Sequence, residues 1–503
     1  MKKSIGIVLS VILLSINYSA WAQSYAESAL LFGRTQPAGS ARIIGLGGTQ
    51  VALGGDYSSA LSNPAGLGMY NRSEFTLTPA LSFYNSQATL NGSTNNESFS
   101  KFNIPGFSLV LFNMKRDQEG DFKGGTFGIT FSRINDFNNS TIYSGHNTTS
   151  SIVDYFMEQA NGTNTSQFDN GQYQYNTPTG LAYYNYLIGP TTLLDPPGSD
   201  SQYFTDAPVE SDQREEITTT GRSNQWNFSY GANYKDILFF GGGLGITTLS
   251  YKSQKVYSEG YSSDVINNMQ LSENLNVRGS GVNVTLGAIA RPFNFMQLGL
   301  SFTSPTYYQL TETYDASMST SWKNYDYWDG HQNVRLNNES ASTDEVTSDY
   351  SLTTPLKLSA GIAFISKYGF ISADIERTNP AKSRYSSNVT DVSFSSDNDQ
   401  IKSLYKAVYN YRVGAELRYN IFRVRAGYNI QSSTFQDRNI DNKIESISGG
   451  VGVRLKKFFA DFALIQRKAS NYYSPYTLSD ASEPVVSIKN KITTSMITFG
   501  FTF

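Results

Sequence analysis

Over most of its length the chain alternates apolar and polar residues one by one. In SEFTLTPALSFY (73–84), Phe75, Leu77, Leu81 and Phe83 fall on one face, and Thr76, Thr78, Ser82 and Tyr84 on the other. GTFGITF (125–131), NQWNFSYGANY (224–234), GVNVTLGAIA (281–290), PLKLSAGIAF (355–364) and YRVGAELRY (411–419) repeat the pattern. The chain ends SMITFGFTF, with Ile497, Phe499, Phe501 and Phe503 on one face. Period two predicts strands with one apolar side. Less regular segments near 103–113, 237–256, 295–306, 369–377, 421–429, 446–455 and 458–467 bring the total to about fourteen strands, each near the ~10 residues of a tilted membrane-spanning strand.

The connections sort by parity. Counted from residue 73, links after even strands are short: 114–123, 235–237, 291–294, 365–369, 420–421 and 456–457. Links after odd strands are long and polar: 85–102, 137–222, 257–279, 307–350, 378–403, 430–445 and 468–489. Short periplasmic turns and long extracellular loops give this alternation. A soluble β-sandwich has no reason to sort its loops this way, and no blade repeat supports a propeller. The predicted fold class is all-β: an antiparallel transmembrane β-barrel of about 14 strands with an N-terminal plug in its lumen.

Composition agrees with that class. The chain holds 34 Tyr, 31 Phe and 4 Trp among its 503 residues, yet its mean hydropathy is negative. A barrel turns only alternate residues to lipid, so it looks polar on average, and its aromatics supply interfacial girdles. The net charge of −3 gives no footprint for nucleic acid, and the absence of Cys excludes disulfide staples and a lipid anchor on Cys. Lys2 and Lys3, a short apolar run and Ala20-Trp21-Ala22 read as a signal peptide, 1–22. The run is too short for a spanning helix. Export and barrel together predict the outer membrane of a Gram-negative bacterium.

Residues 23–72 precede the first strand and are rich in small residues, notably ARIIGLGGTQVALGGDYSSALSNPAGLG (41–68). The stretch fails as a dinucleotide loop: a third glycine is missing at Gln50, and no lysine serves a phosphate. A plain linker need not carry Ile43, Ile44, Leu46, Val51, Leu53, Leu61 and Leu67. A lumen this wide is not filled by its own wall side chains. The expected organisation is therefore signal peptide 1–22, hatch 23–72 and barrel 73–503.

GSARIIGLGGTQVALGGDYSSALSNPAGL resembles the N-terminal hatch of the FadL family of outer-membrane transporters of long-chain fatty acids and other hydrophobic compounds. The matching positions are Gly39, Ala41, Arg42, Gly45, Gly47, Gly48, Asp56, Ala60, Leu61, Asn63, Pro64, Ala65, Gly66 and Leu67. Ser304-Pro305-Thr306 with Tyr307 and Leu310, and Thr354-Pro355-Leu356, resemble family strand ends. The resemblance implies passive uptake of a hydrophobic small molecule, gated by Gly45, Gly47, Gly48, Asn63, Pro64 and Ala65. It also implies lateral exit through a wall gap made by a kink in the third strand. Here that strand ends FSRINDFNN (131–139), and its parity breaks near Arg133-Ile134, which makes Asn135 the gate candidate. An ordinary strand fraying into a loop is the alternative.

Alternation turns Lys357, Asp374, Glu376, Arg412, Glu416, Arg418, Arg423, Arg425 and Arg454 inward. One reading is a mutually paired charge lining. The other is that Lys357, Arg412 or Arg425 holds a ligand carboxylate. In the loop 137–222, SIVDYFMEQANG (151–162) predicts a short amphipathic helix, and GLAYYNYLIG (180–189) is apolar and aromatic. These form either a ligand-collecting surface or a lid packed on itself.

A barrel enzyme is disfavoured because the only two histidines, His146 and His331, fall in outer loops without a nucleophile's context. The same scarcity argues against a His-ligated metal; no cofactor, catalytic residue or metal site is expected. A TonB-dependent receptor needs about twenty-two strands. A structural or adhesin-like barrel without a transport role stays open. Expected partners are the hydrophobic ligand, outer-membrane lipid and, through Phe503, the barrel assembly machinery; a monomer and no nucleic acid are expected.

Overall fold

The computed structural model describes residues 24–113, 121–169, 173–191, 202–328, 332–390 and 392–503. The expected leader 1–22 and His331 lie outside the described residues. The barrel strands are β1 (Glu74–Leu90), β2 (Ser93–Asn113), β3 (Phe122–Asp136), β4 (Ser211–Tyr234), β5 (Leu238–Gly260), β6 (Ile266–Phe293) and β7 (Met296–Thr303, resumed at Tyr307–Trp328). They continue with β8 (Val346–Thr353, resumed at Lys357–Ser366), β9 (Gly369–Thr378), β10 (Val408–Tyr419), β11 (Phe422–Gln431), β12 (Ile444–Arg454), β13 (Phe458–Tyr473) and β14 (Val486–Thr502). Neighbours pair antiparallel, and β14 returns to β1 from Glu74↔Thr502 to Thr89↔Ser487, closing a 14-stranded barrel. Closure leaves no sheet edge, which is what permits strands to cross a membrane.

The two faces are those the alternation predicts. On β1, Phe75, Leu77, Leu81 and Phe83 are exposed on the outer wall, while Thr76, Thr78 and Ser82 are buried inside. Val282, Val284 and Leu286 on β6 and Phe499 and Phe501 on β14 face outward in the same way. Inward polar groups bond across the ladder, as Thr76 and Ser108 do at 2.7 Å.

Three links expected to be long loops, 85–102, 257–279 and 307–350, are mostly strand. β1 and β2 run past the apolar band and meet at Asn91-Gly92, where φ is +47° and +85°, the values of a type I′ turn. β5 and β6 extend likewise, to Gly260 and from Ile266. The barrel therefore stands well above its lipid-facing band. The long connection after β3 carries α4 (Ile152–Ala160) at the predicted position, started by a capping box of Ser151 and Asp154. It also carries α5 (Pro178–Tyr184). Val153, Phe156, Leu181 and Leu187 are buried against Met269, Trp322 and Tyr327 of the strand extensions. The apolar loop residues are thus lid core rather than open surface.

The N-terminal segment lies inside the barrel. Around it β4–β8 and β10–β12 present inward glycines, among them Gly241, Gly287, Gly299, Gly414 and Gly427. A Cβ at any of these would overlap Pro64–Ala65, Asn63, Val51, Leu46 or Gly47 respectively. The wall is thinned to backbone where the segment presses on it.

Candidate functional site

From its N-terminus the segment forms α1 (Tyr25–Gly33), α2 (Ala41–Gly45), α3 (Ser59–Ser62) and a 3-10 turn, Pro64–Met69. Ser40 caps α2 and Asn63 caps the turn, whose first residue, Pro64, has no N–H to satisfy. Asn63 is fully buried. Its Nδ2 donates to the Val51 carbonyl at 2.6 Å and to Leu300 of the wall at 3.2 Å, and its Oδ1 accepts from the Ala65 N–H at 3.2 Å. Gly47 and Gly48 have φ of +70° and +84°, and a side chain at Gly47 would meet the Tyr428 backbone. Gly45 needs no such backbone, and a methyl there would make ordinary contacts with Gly450 and Ala463. Asp374 accepts the Gln50 and Val51 N–H groups at 2.6 and 3.0 Å, and Ala41 N donates to Thr498 at 2.7 Å.

Toward the periplasmic turns the segment joins a buried charge cluster. Arg42 reaches Glu416 at 3.5 Å and Asp56 at 4.0 Å. Arg425, wholly enclosed, binds Glu416 and Asp461 at 2.7 Å each. Arg418 and Arg454 add contacts of 2.8 Å to Glu416 and Asp461. Burial works against the Arg42 charge, but the carboxylates of Glu416 and Asp56 outweigh it, so its pKa lies above the ordinary arginine value.

On the other side of the hatch lie two adjoining cavities. The larger has a free volume of about 100 Å³. Its lining includes Gln36, Gly48, Leu61, Ile134, Lys357 and Arg412. The smaller, about 30 Å³, shares Gly33, Thr35, Pro355, Lys357 and Glu376 with it. Lys357 therefore stands between the two, bonded to Thr35, and Arg412 holds Glu376 at 3.0 Å. Two of the three expected ligand residues line one space, with Glu376 as an acid between them; Arg425 lies in the charge cluster instead. Above the cavities α1 inserts Tyr25 among Tyr350, Tyr385 and Phe394, and Phe32 between Phe137 and Tyr251. Nothing in the 3.6 period of 25–33 announced that aromatic stopper.

The cavity abuts a break in the wall. β2 and β3 pair only from Asn113↔Gly125 to Gly106↔Ser132, although both strands continue. Beyond that point β3 turns inward, and its register with β4 shifts between Arg133 and Asn135. Asn135 Nδ2 donates to the Leu31 and Arg34 carbonyls at 3.1 and 3.0 Å, and Gln36 N donates to Ile134 O at 2.9 Å. The inward bend and the hatch are thus bonded to each other. The residue that sequence reasoning missed is Pro105, which follows the last β2–β3 pair and has no N–H to offer a neighbouring strand. A proline inside a predicted spanning strand was the available signal. Arg467, inward on β13, was also missed; among the described residues it makes no hydrogen bond or ion pair.

His146 is exposed, and its ring nitrogens face Asp212 at 2.9 Å and Glu210 at 3.0 Å. Among the described residues no cluster of His, Cys, Asp and Glu could hold a metal.

These features define a class: a closed outer-membrane-type barrel of 14 strands whose lumen is occupied by its own N-terminus and whose β2–β3 ladder is interrupted beside that plug. Solved structures place it further. The chain is similar to a Pseudomonas aeruginosa FadL homologue, with 12% identity, 93% of this chain and 99% of that one covered, and a TM-score of 0.54. It is also similar to the toluene transporter TodX of P. putida, with 12% identity, 92% and 98% covered, and a TM-score of 0.51. The fold is that of the FadL-type transporters, as the hatch motif implied. No family model and no curated protein matches the sequence.

Proposed function

We propose that the chain is an outer-membrane channel for passive uptake of hydrophobic molecules, long-chain fatty acids foremost, gated by its N-terminal hatch. The observation that carries this is the placement of one cavity between the hatch and the β2–β3 break, with Gln36 and Ile134 on its lining. A ligand entering beneath the lid would displace α1 and seat its polar end near Lys357 and Arg412. It would leave sideways into lipid once the bonds of Asn135 to 31–34 yield. The small free volume favours a channel that opens only with ligand. TodX transports toluene, so a neutral aromatic ligand is the second reading; Glu376 already neutralises Arg412 and leaves Lys357 as the cation to test. Hatch boundaries at 23–72, recognition of Phe503 by the assembly machinery and a monomeric state belong to the same proposal. A structural barrel would have no use for a bonded plug beside a wall break.

The test is uptake of labelled oleate and of labelled toluene by cells expressing the chain, beside an Asn63→Ala/Pro64→Ala variant. Hatch-dependent uptake of either compound supports the channel, and which one enters chooses between the readings. No uptake of either by the inserted parent chain overturns it.

A further inference from the structure

Outward positions on β13 and β14 carry an arrangement that a channel does not require. Lys468 and Lys491 are direct partners across the antiparallel ladder, and Lys489 follows two residues along β14 on the same face. All three side chains are exposed. Like charges directly opposite on one face of a sheet lie about 5 Å apart at Cβ and destabilise the pair. Among the described residues none of the three makes an ion pair or hydrogen bond. Glu445, across the ladder from Lys468, is engaged by Lys443 at 3.6 Å; Asp441 also approaches Lys443, at 3.9 Å.

Their height on the wall names the neighbour. On β1 the outward apolar series ends at Phe83, which pairs with Thr493; the next outward position, Asn85, pairs with Lys491. From Phe75 to Asn85 is ten residues, about 25 Å along the membrane normal for strands tilted about 40°. That is the height of the apolar band itself. The lysines therefore sit at the upper border of the lipid, on the side of the long loops.

We propose that Lys468, Lys489 and Lys491 form a binding site for the phosphate group of a phosphorylated lipid of the outer leaflet, with its acyl chains lying on Phe83, Leu81 and Leu464 below. An anion seated between Lys468 and Lys491 turns their repulsion into attraction, and headgroup charge attracts basic residues at this depth. A lipid phosphate, unlike free phosphate, also brings chains for the apolar strip. The proposal rests on the outer-membrane reading above, because only there do these lysines meet the outer leaflet.

The test is native mass spectrometry of the full chain purified in detergent, with diphosphorylated lipid A or the same lipid stripped of its phosphates, each with and without 10 mM inorganic phosphate, a level set at about the millimolar range that competes with weak charged contacts. The parent is expected to retain one diphosphorylated lipid. Occupancy should fall at least about tenfold in Lys468→Gln/Lys491→Gln, by the loss of two charges at the surface. It should persist in Lys468→Arg/Lys491→Arg and in a periplasmic-rim control, Lys456→Gln/Lys457→Gln. Equal retention in the Gln variant, or equal retention of the dephosphorylated lipid, overturns the proposal. Complete displacement by inorganic phosphate overturns the lipid in favour of a free anion. Heat-modifiable migration on gels confirms that each variant is folded. Biotinylation of loops on whole cells reports the outer-membrane reading separately: loops labelled but lipid retention indifferent to the lysines removes this inference alone.

Discussion

Asn63 offers the sharpest test of how the hatch is held. Replacing it with Ala removes donations to Val51 O of the hatch at 2.6 Å and to Leu300 O and Ala288 O of the wall at 3.2 and 3.4 Å, and the cap on Ala65 N at 3.2 Å. At about 1 kcal/mol per bond, partly recovered by water, the seated hatch should lose about 2–3 kcal/mol, in part from its own internal bonds and in part from its hold on the wall. Local opening should then become about thirty- to a hundred-and-fifty-fold more frequent. The chain has no Cys, so one reporter gives a clean readout. Thr49 is fully buried, and among the described residues its hydroxyl bonds only to Leu46 O, at 3.2 Å, which makes Thr49→Cys a mild reporter. The assay is the rate of labelling by a small thiol reagent in the folded barrel, compared between Thr49→Cys and Thr49→Cys/Asn63→Ala. When opening is fast relative to reaction, the ratio of rates is the ratio of open populations. A ratio below about two would refute the reasoning, because it corresponds to less than about 0.5 kcal/mol.

Other perturbations separate the remaining parts. Glu416→Ala leaves Arg425 with one counter-ion inside a buried cluster; it should cost about 3–5 kcal/mol and lower the barrel's melting temperature while speeding thiol labelling in the Thr49→Cys background. Gly427→Val puts a side chain where the Gly47 backbone lies, so the hatch reporter should lose protection while the barrel stays heat-modifiable on gels; a protected reporter would contradict the seating described. Lys357→Gln should weaken oleate binding about tenfold, the worth of one charge-assisted bond, and leave toluene unchanged, measured by ligand titration of the purified barrel. Joining Asn103→Cys to Asn135→Cys with a reducible bifunctional thiol reagent should block uptake through the β2–β3 break, with uptake restored by reductant; undiminished uptake would place the exit elsewhere.

The sequence by itself determined the barrel. Which face a residue takes follows from the two-residue repeat of an extended chain, a local property, so the outward Phe, Leu and Val series can be counted from the residues alone. Loop parity then sets the direction of each strand, and the small-residue run at 41–68 marks a segment that presses on other backbone. Asn91-Gly92 lay in plain view as a hairpin turn, and reading it would have turned one expected loop into strand. The tertiary structure alone decided who meets whom. Arg412 and Arg425 share a pattern in sequence, yet one lines the cavity with Glu376 and the other is locked to Glu416 and Asp461. That difference depends on strand stagger and on where Arg42 arrives, neither of which leaves a local trace. The wall break likewise arises from a ladder that ends at Gly106↔Ser132 and from a plug whose carbonyls at 31 and 34 hold Asn135 inward. Contacts a hundred residues apart are set by closure of the whole barrel, and periodicity, being local, is blind to them.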